Sequence, residues 1–215
     1  MNKQSPYEKC AAFTLAEVLI TLLIIGVVSS IVIPGLIQNT QNMEYKVAYK
    51  KAYAVANQAW LMAYSENLLL PRTSQYDNTP YSNNYNAFKS KFNVVKDCNN
   101  NNNSLCWASG ETLYPGQNAP ISSSPAFIDN SGFNWSCVWP SAGNLGDQIL
   151  VDTNGFKGPN KYGRDRFVFS LCDKNNNYGS SGIPVKFCPF QNMDISYVGN
   201  WCPSGGCYYK TWLTE

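Results

Sequence analysis

The sequence predicts an α+β protein, a long N-terminal helix packed on a small antiparallel β-sheet, and three observations predict it. Phe13–Ile33 reads FTLAEVLITLLIIGVVSSIVI, an unbroken apolar run whose one charge is Glu17. A run of about 20 such residues forms a helix long enough to cross a bilayer. Beyond Pro34 the pattern becomes amphipathic, with Tyr45, Ala48, Tyr49, Ala52, Val55, Ala56, Ala59, Met62 and Ala63 at helical spacing. The C-terminal part then alternates short aromatic and β-branched runs with Gly, Pro and Asn, the pattern of strands joined by turns.

The chain opens on a short polar leader, MNKQSPYEKCAA, ending in two small residues. Glu17 sits near the outer end of the apolar run, and an acidic side chain at a helix centre in a membrane costs roughly 2.5–3.5 kcal/mol on insertion scales. Such a carboxylate calls for a cation. Cutting the chain after Ala12 supplies one, because the new amine of Phe13 lies four residues from Glu17. The order of segments matters here. A secretory signal places its cleavage site after the apolar stretch and loses it. In this chain the small-residue site comes first, so the stretch is kept. The competing reading is a plain signal anchor in which Glu17 is tolerated near the interface.

Pro34-Gly35 closes the apolar run, and proline there predicts a kink or local melting, because it lacks a donor and clashes with the preceding turn. The amphipathic helix then continues toward Leu69 and stops before Pro71. Residues 72–120 read as loop-rich. They contain Asn99–Asn103, five asparagines between Cys98 and Cys106, a composition that favours turns over regular ladders. Ile149–Val151 and Arg166–Ser170 are the stronger strand candidates; Val185–Phe187 and Cys207–Lys210 are weaker. The domain plan is a leader over 1–12, a membrane helix over 13–33, its amphipathic continuation over 34–70 and a loop-rich, disulfide-containing β domain over 71–215.

Composition narrows function. The chain has 215 residues, a net charge of +2 and no histidine. The missing histidine removes His-based triads, metal ligands and acid–base steps, and no Ser or Cys sits in a nucleophile motif. The charge is too balanced for a broad phosphate-binding surface, so no nucleic-acid partner is implied. Lys3 and Lys9 before the helix, offset by Glu8, place the leader in the cytoplasm and the C-terminal domain outside. Of eight cysteines, Cys10 is in the leader. Cys98, Cys106, Cys137, Cys172, Cys188, Cys202 and Cys207 follow it, and suit an oxidising compartment. Cys98–Cys106, Cys172–Cys188 and Cys202–Cys207 are the simplest local pairs and leave Cys137 over, but spacing does not fix the pairing. Trp107, Trp135, Trp139, Trp201 and Trp212 read as packing residues, with ligand binding as the alternative.

Ala12-Phe13-Thr14-Leu15-Ala16-Glu17-Val18-Leu19 resembles the processing motif of type IV pilins and of the pseudopilins of type II secretion. The family usually has Gly where this chain has Ala12. The resemblance implies cleavage between Ala12 and Phe13 by a prepilin peptidase, N-methylation of Phe13, and neutralisation of a neighbouring subunit's terminus by Glu17 during assembly. It implies a pilin-like fold whose long helix bends at Pro34. It also implies sister subunits, an inner-membrane assembly machinery and the lipid bilayer as partners. The location implied is a single pass through the inner (cytoplasmic) membrane, then an extracytoplasmic filament. The function expected is structural rather than enzymatic. The alternative is a membrane-tethered adhesive or ligand-binding domain exported by the same route.

Asp152–Asp165, DTNGFKGPNKYGRD, looks like a turn that recurs in larger pseudopilin-like proteins, some of which bind calcium beside the sheet. Asp152, Asn154 and Asp165 are the candidate ligands, since oxygen donors at alternate positions followed by Gly resemble the opening of a calcium loop. The terminal Glu of an EF-hand is missing, and Lys157, Lys161 and Arg164 oppose a cation. The alternative is a hairpin held by Asx turns with no metal. No other cofactor is expected.

Overall fold

The structure is a computed structural model that describes residues 13–71, 78–98, 103–110, 125–138, 148–175, 183, 185–189 and 212–213. The chain divides into two compact units, Met1–Met43 and Glu44–Glu215. Helix α1 (Leu15–Ser65) contributes to both.

In the first unit the described chain is helix from Leu15 onward, long and apolar enough to cross a membrane. Its side chains are almost all exposed, as expected of a surface whose complement is lipid or sister helices. The helix continues through Pro34 without the melting that proline invites. It ends at Ser65, earlier than the predicted Leu69, where Asn67 takes a left-handed turn at φ 56°.

In the second unit α1 buries Tyr49, Ala52, Ala56, Ala59, Trp60 and Ala63 along one stripe. The alanines bring the helix axis close to the sheet and the two large rings fill the remaining space. Met62, expected on that stripe, is exposed. Trp60 takes its place and meets the Phe187 ring edge-on at 5.4 Å. Six strands follow: β1 (Val94–Cys98), β2 (Ala126–Asp129), β3 (Asn134–Val138), β4 (Gln148–Asp152), β5 (Arg166–Cys172) and β6 (Lys186–Pro189). They form one sheet in sequence order with every neighbouring pair antiparallel. The α+β expectation holds: a long N-terminal helix lies on an antiparallel sheet.

The predicted strands at Ile149–Val151, Arg166–Ser170 and Val185–Phe187 fall on β4, β5 and β6. The candidate at Cys207–Lys210 lies outside the described residues. The loop-rich reading of 72–120 is corrected, since helix α2 (Asn78–Lys89) and β1 both fall inside it. Asparagine-rich α2 has weak intrinsic propensity, and burial of Tyr85 and Phe88 overrides it. Phe88 sets its ring against Phe92 at 4.8 Å and Phe187 at 5.5 Å.

Every residue of β4 and β5 is buried, so these strands are covered on both faces. Phe167 and Phe169 turn toward Tyr49, with ring centroids 4.8 and 5.7 Å away. Alternation along the strand puts Arg166, Val168 and Ser170 on the opposite face. The two edges are handled differently. On β6, Phe187 N–H donates to Asn57 Oδ1 at 2.9 Å and its carbonyl accepts from Tyr53 Oη at 3.0 Å, so α1 closes that edge. On β1 the ladder shifts register between Val94 and Lys96. Its exposed Asp97 pairs with Lys89 at 2.8 Å, devices that discourage edge pairing.

Candidate functional site

The start of α1 is built from Thr14 and Glu17. Thr14 Oγ1 accepts Glu17 N–H at 3.3 Å, while Glu17 Oε2 accepts both Thr14 N–H at 2.8 Å and Thr14 Oγ1–H at 2.9 Å. This reciprocal arrangement is a capping box, a Ser or Thr followed three residues later by Glu or Gln, which satisfies amides that a helix start otherwise leaves orphaned. Thr14 was not among the residues singled out from the sequence, although its spacing to Glu17 carries that signature. Glu17 Oε1 accepts no hydrogen bond among the described residues. Phe13, which precedes Thr14, is 85% exposed. Ala12, the residue before the expected cut, lies outside the described residues.

The turn between β4 and β5 is the second candidate. Asp152 is 0% exposed and Arg166 1% exposed, and Asp152 Oδ2 accepts Arg166 Nε–H at 2.9 Å. Asp152 Oδ1 accepts Asn154 N–H at 3.3 Å. Asp165 Oδ1 accepts Lys161 N–H at 2.7 Å. Its Oδ2 accepts Asn160 N–H at 2.7 Å and Asn154 Nδ2–H at 3.1 Å. The carboxylate oxygens of Asp152 and Asp165 are therefore engaged by N–H donors, Asn154 Oδ1 is buried with no hydrogen-bond partner among the described residues, and Arg166 already supplies a cation. Among the described residues no group of three or more His, Cys, Asp or Glu comes together to hold a metal. Gly155 and Gly163 adopt φ of 71° and 79°, left-handed positions that tighten the turn without the penalty a side chain would bring. Burial is the main influence on Asp152 and pushes its pKa up to about 7, against the pull of Arg166.

Two of the simplest cysteine pairs are bridged: Cys98–Cys106 with Cα atoms 6.0 Å apart, and Cys172–Cys188 with 6.1 Å. Cys137 is buried on β3; Cys202 and Cys207 lie outside the described residues. The first bridge has a consequence for the turn. It holds the 103–110 segment against the sheet so that Trp107 lies 5.1 Å from the Arg166 guanidinium. Arg166 Nη2 donates to the Ala108 carbonyl. Gly110 passes so close that a Cβ there would fall 2.4 Å from Asn160 Cβ. Trp135 is core and donates its ring N–H to Asp129 at 2.8 Å. Trp212 packs on Tyr49 and Phe167. Trp139 and Trp201 lie outside the described residues. Trp107, Trp135 and Trp212 thus pack within the fold.

Residues 8–33 match the prokaryotic N-terminal methylation motif, the prepilin-type cleavage and methylation motif of type IV pilins and pseudopilins. No curated protein and no solved structure matched the chain. The motif contains the Thr14–Glu17 cap and most of the apolar run. It supports a pilin-like or pseudopilin protein processed by prepilin peptidase and implies assembly with other pilin subunits. With the long apolar helix it supports a membrane-anchored protein of an extracytoplasmic filament.

Proposed function

We propose that this chain is a structural subunit of a type II secretion pseudopilus or a type IV pilus, held in the inner membrane by residues 13–33 with its β domain outside. Cleavage between Ala12 and Phe13 frees an amine that is then methylated, and Glu17 receives that amine from a neighbouring subunit. The segment plan follows: leader 1–12, spanning helix 13–33, amphipathic helix 34–70, and β domain 71–215. Pro34 is the position at which the helix bends in the filament.

The observation that supports this most directly is the motif over residues 8–33, with Glu17 as the one charge in an exposed apolar helix. A lone carboxylate there is costly unless a cation meets it, and cleavage makes one at the right place. The disulfides Cys98–Cys106 and Cys172–Cys188 fit a domain exposed to an oxidising compartment.

The test is intact-mass and N-terminal sequencing of the protein purified from a host with the prepilin peptidase. The expected product begins at N-methylated Phe13. A product that retains Met1, or one that begins after Ile33, overturns the proposal.

A further inference from the structure

The β4–β5 turn carries features that the assembly role does not use. Phe156 at its apex is 53% exposed, a large aromatic ring with no core to fill. Lys157 and Arg164 are exposed and Lys161 half-buried, and none of the three forms an ion pair among the described residues. The turn's own acid, Asp165, is buried and saturated by backbone and side-chain N–H donors, so it offsets them little at the surface. The arrangement is a rigid loop presenting an aromatic side chain among unpaired cations. Its backbone is fixed by Asp165, by Gly155 and by the approach of Gly110.

The turn lies at a particular end of the β domain. Tyr49 meets Phe167 at 4.8 Å, whereas Trp60, further along α1, meets Phe187. The β4–β5 turn is thus at the end of the domain where α1 enters. The proximity of Asp165 and Arg164 to Tyr45 agrees with this. Tyr45 is only twelve residues along the chain from Ile33, the end of the apolar run. Twelve residues reach at most about 40 Å even when fully extended. A bilayer holding residues 13–33 is therefore always within reach of the turn, at high effective concentration.

We infer that the Phe156–Arg164 turn is a membrane-surface contact, with Phe156 entering the headgroup region and Lys157, Lys161 and Arg164 meeting anionic phospholipid headgroups of the bilayer that anchors the chain. The contact rests on the anchored reading above. It would hold the β domain down on the membrane before assembly and release it when the subunit joins a filament. Aromatic and cationic side chains together are the usual composition of interfacial anchors.

The experiment uses the full chain with Phe156→p-benzoylphenylalanine, reconstituted in nanodiscs of phosphatidylcholine alone or with about 30% phosphatidylglycerol, where each cation near an anionic surface adds roughly five-fold to binding. After irradiation, mass spectrometry counts lipid adducts. The expected yield rises several-fold with phosphatidylglycerol. It returns to the phosphatidylcholine level in about 0.5 M salt, where screening reaches only about 4 Å, and falls by about five-fold in a background carrying Lys157→Gln. The salt arm needs no second variant and so does not depend on how that variant folds. An inserted chain with equal adducts on both lipids, or with adducts to a second copy of the chain in place of lipid, overturns the inference alone. A chain that carbonate extraction strips from the membrane overturns the anchored reading and the inference with it.

Discussion

Arg166 carries more of the β domain than its single charge suggests. It pairs with Asp152, reaches the Ala108 carbonyl and lies beside Trp107, so one buried side chain joins β4, β5 and the disulfide-tied segment. Arg166→Ala should cost roughly 3–5 kcal/mol in denaturant melts at pH 8, because it leaves a buried carboxylate without its partner. At pH 5 the loss should be smaller, since Asp152 can then take up a proton. The pKa of Asp152, pushed up to about 7 by burial, has its own consequence. In the unfolded chain the group titrates near 3.9, so the folded state binds the proton more tightly. Its contribution to stability is fully present below about pH 4 and is lost as pH rises through about 7. The wild-type chain should therefore lose stability relative to Asp152→Asn as melts are taken from pH 4 to pH 8. A difference that stays flat would mean that the Arg166 charge, 2.9 Å away, keeps Asp152 ionised throughout.

The elements differ in how openly the sequence shows them, and the reasons are physical. β4 and β5 stand out because strands buried on both faces read as apolar runs, whereas β6, which opens on Lys186 and is only half-buried at its ends, gives a weaker signal. β2 and β3 are short and carry Asp129, Asn134 and Ser136 at buried positions, which breaks the apolar signal. The Asp129-Asn130-Ser131-Gly132 turn between them was the available clue. α2 was hidden by its asparagines, and only tertiary contacts make it a helix. At the helix start Glu17 was evident from its isolation among apolar residues, whereas Thr14 was overlooked because its role is geometric. The disulfides were legible as the shortest local pairs, yet what Cys98–Cys106 does was not. The Asn99–Asn103 run favours turns, so the bridge is what holds Trp107 on Arg166. In the chain-entropy account a loop of this length contributes about 2.5 kcal/mol, and the longer Cys172–Cys188 loop about 3 kcal/mol. Cys98→Ser should cost more than its loop length predicts, because the Arg166 contacts loosen with it. Cys172→Ser should cost close to the loop value. Paired denaturant melts of the two variants would check this, and a Cys98→Ser loss of only about 2.5 kcal/mol, below that of Cys172→Ser, would count against coupling between the bridge and Arg166.

At the scale of the whole molecule, the proposed assembly role of Glu17 competes with its helix cap for one carboxylate. In the single chain Oε2 is engaged by Thr14 while Oε1 takes no hydrogen bond among the described residues. In an assembly the same carboxylate would face a neighbour's amine. The two roles separate by substitution. Glu17→Gln keeps an oxygen that can accept Thr14 N–H, since Gln serves in a capping box as Glu does, but it removes the charge. Glu17→Ala removes both, and losing a cap costs roughly 0.5–2 kcal/mol of local helix stability. Insertion into the membrane should survive in both variants, because removing a carboxylate makes the apolar run cheaper to insert. Hydrogen exchange in detergent should therefore show faster opening of the first turn of α1 in Glu17→Ala and little change in Glu17→Gln. Incorporation into filaments, read by shearing and immunoblot, should fail in both. Near-normal incorporation of Glu17→Gln alongside failure of Glu17→Ala would show that the cap, not the charge, is what assembly requires, and the ion-pair role of Glu17 would have to be given up.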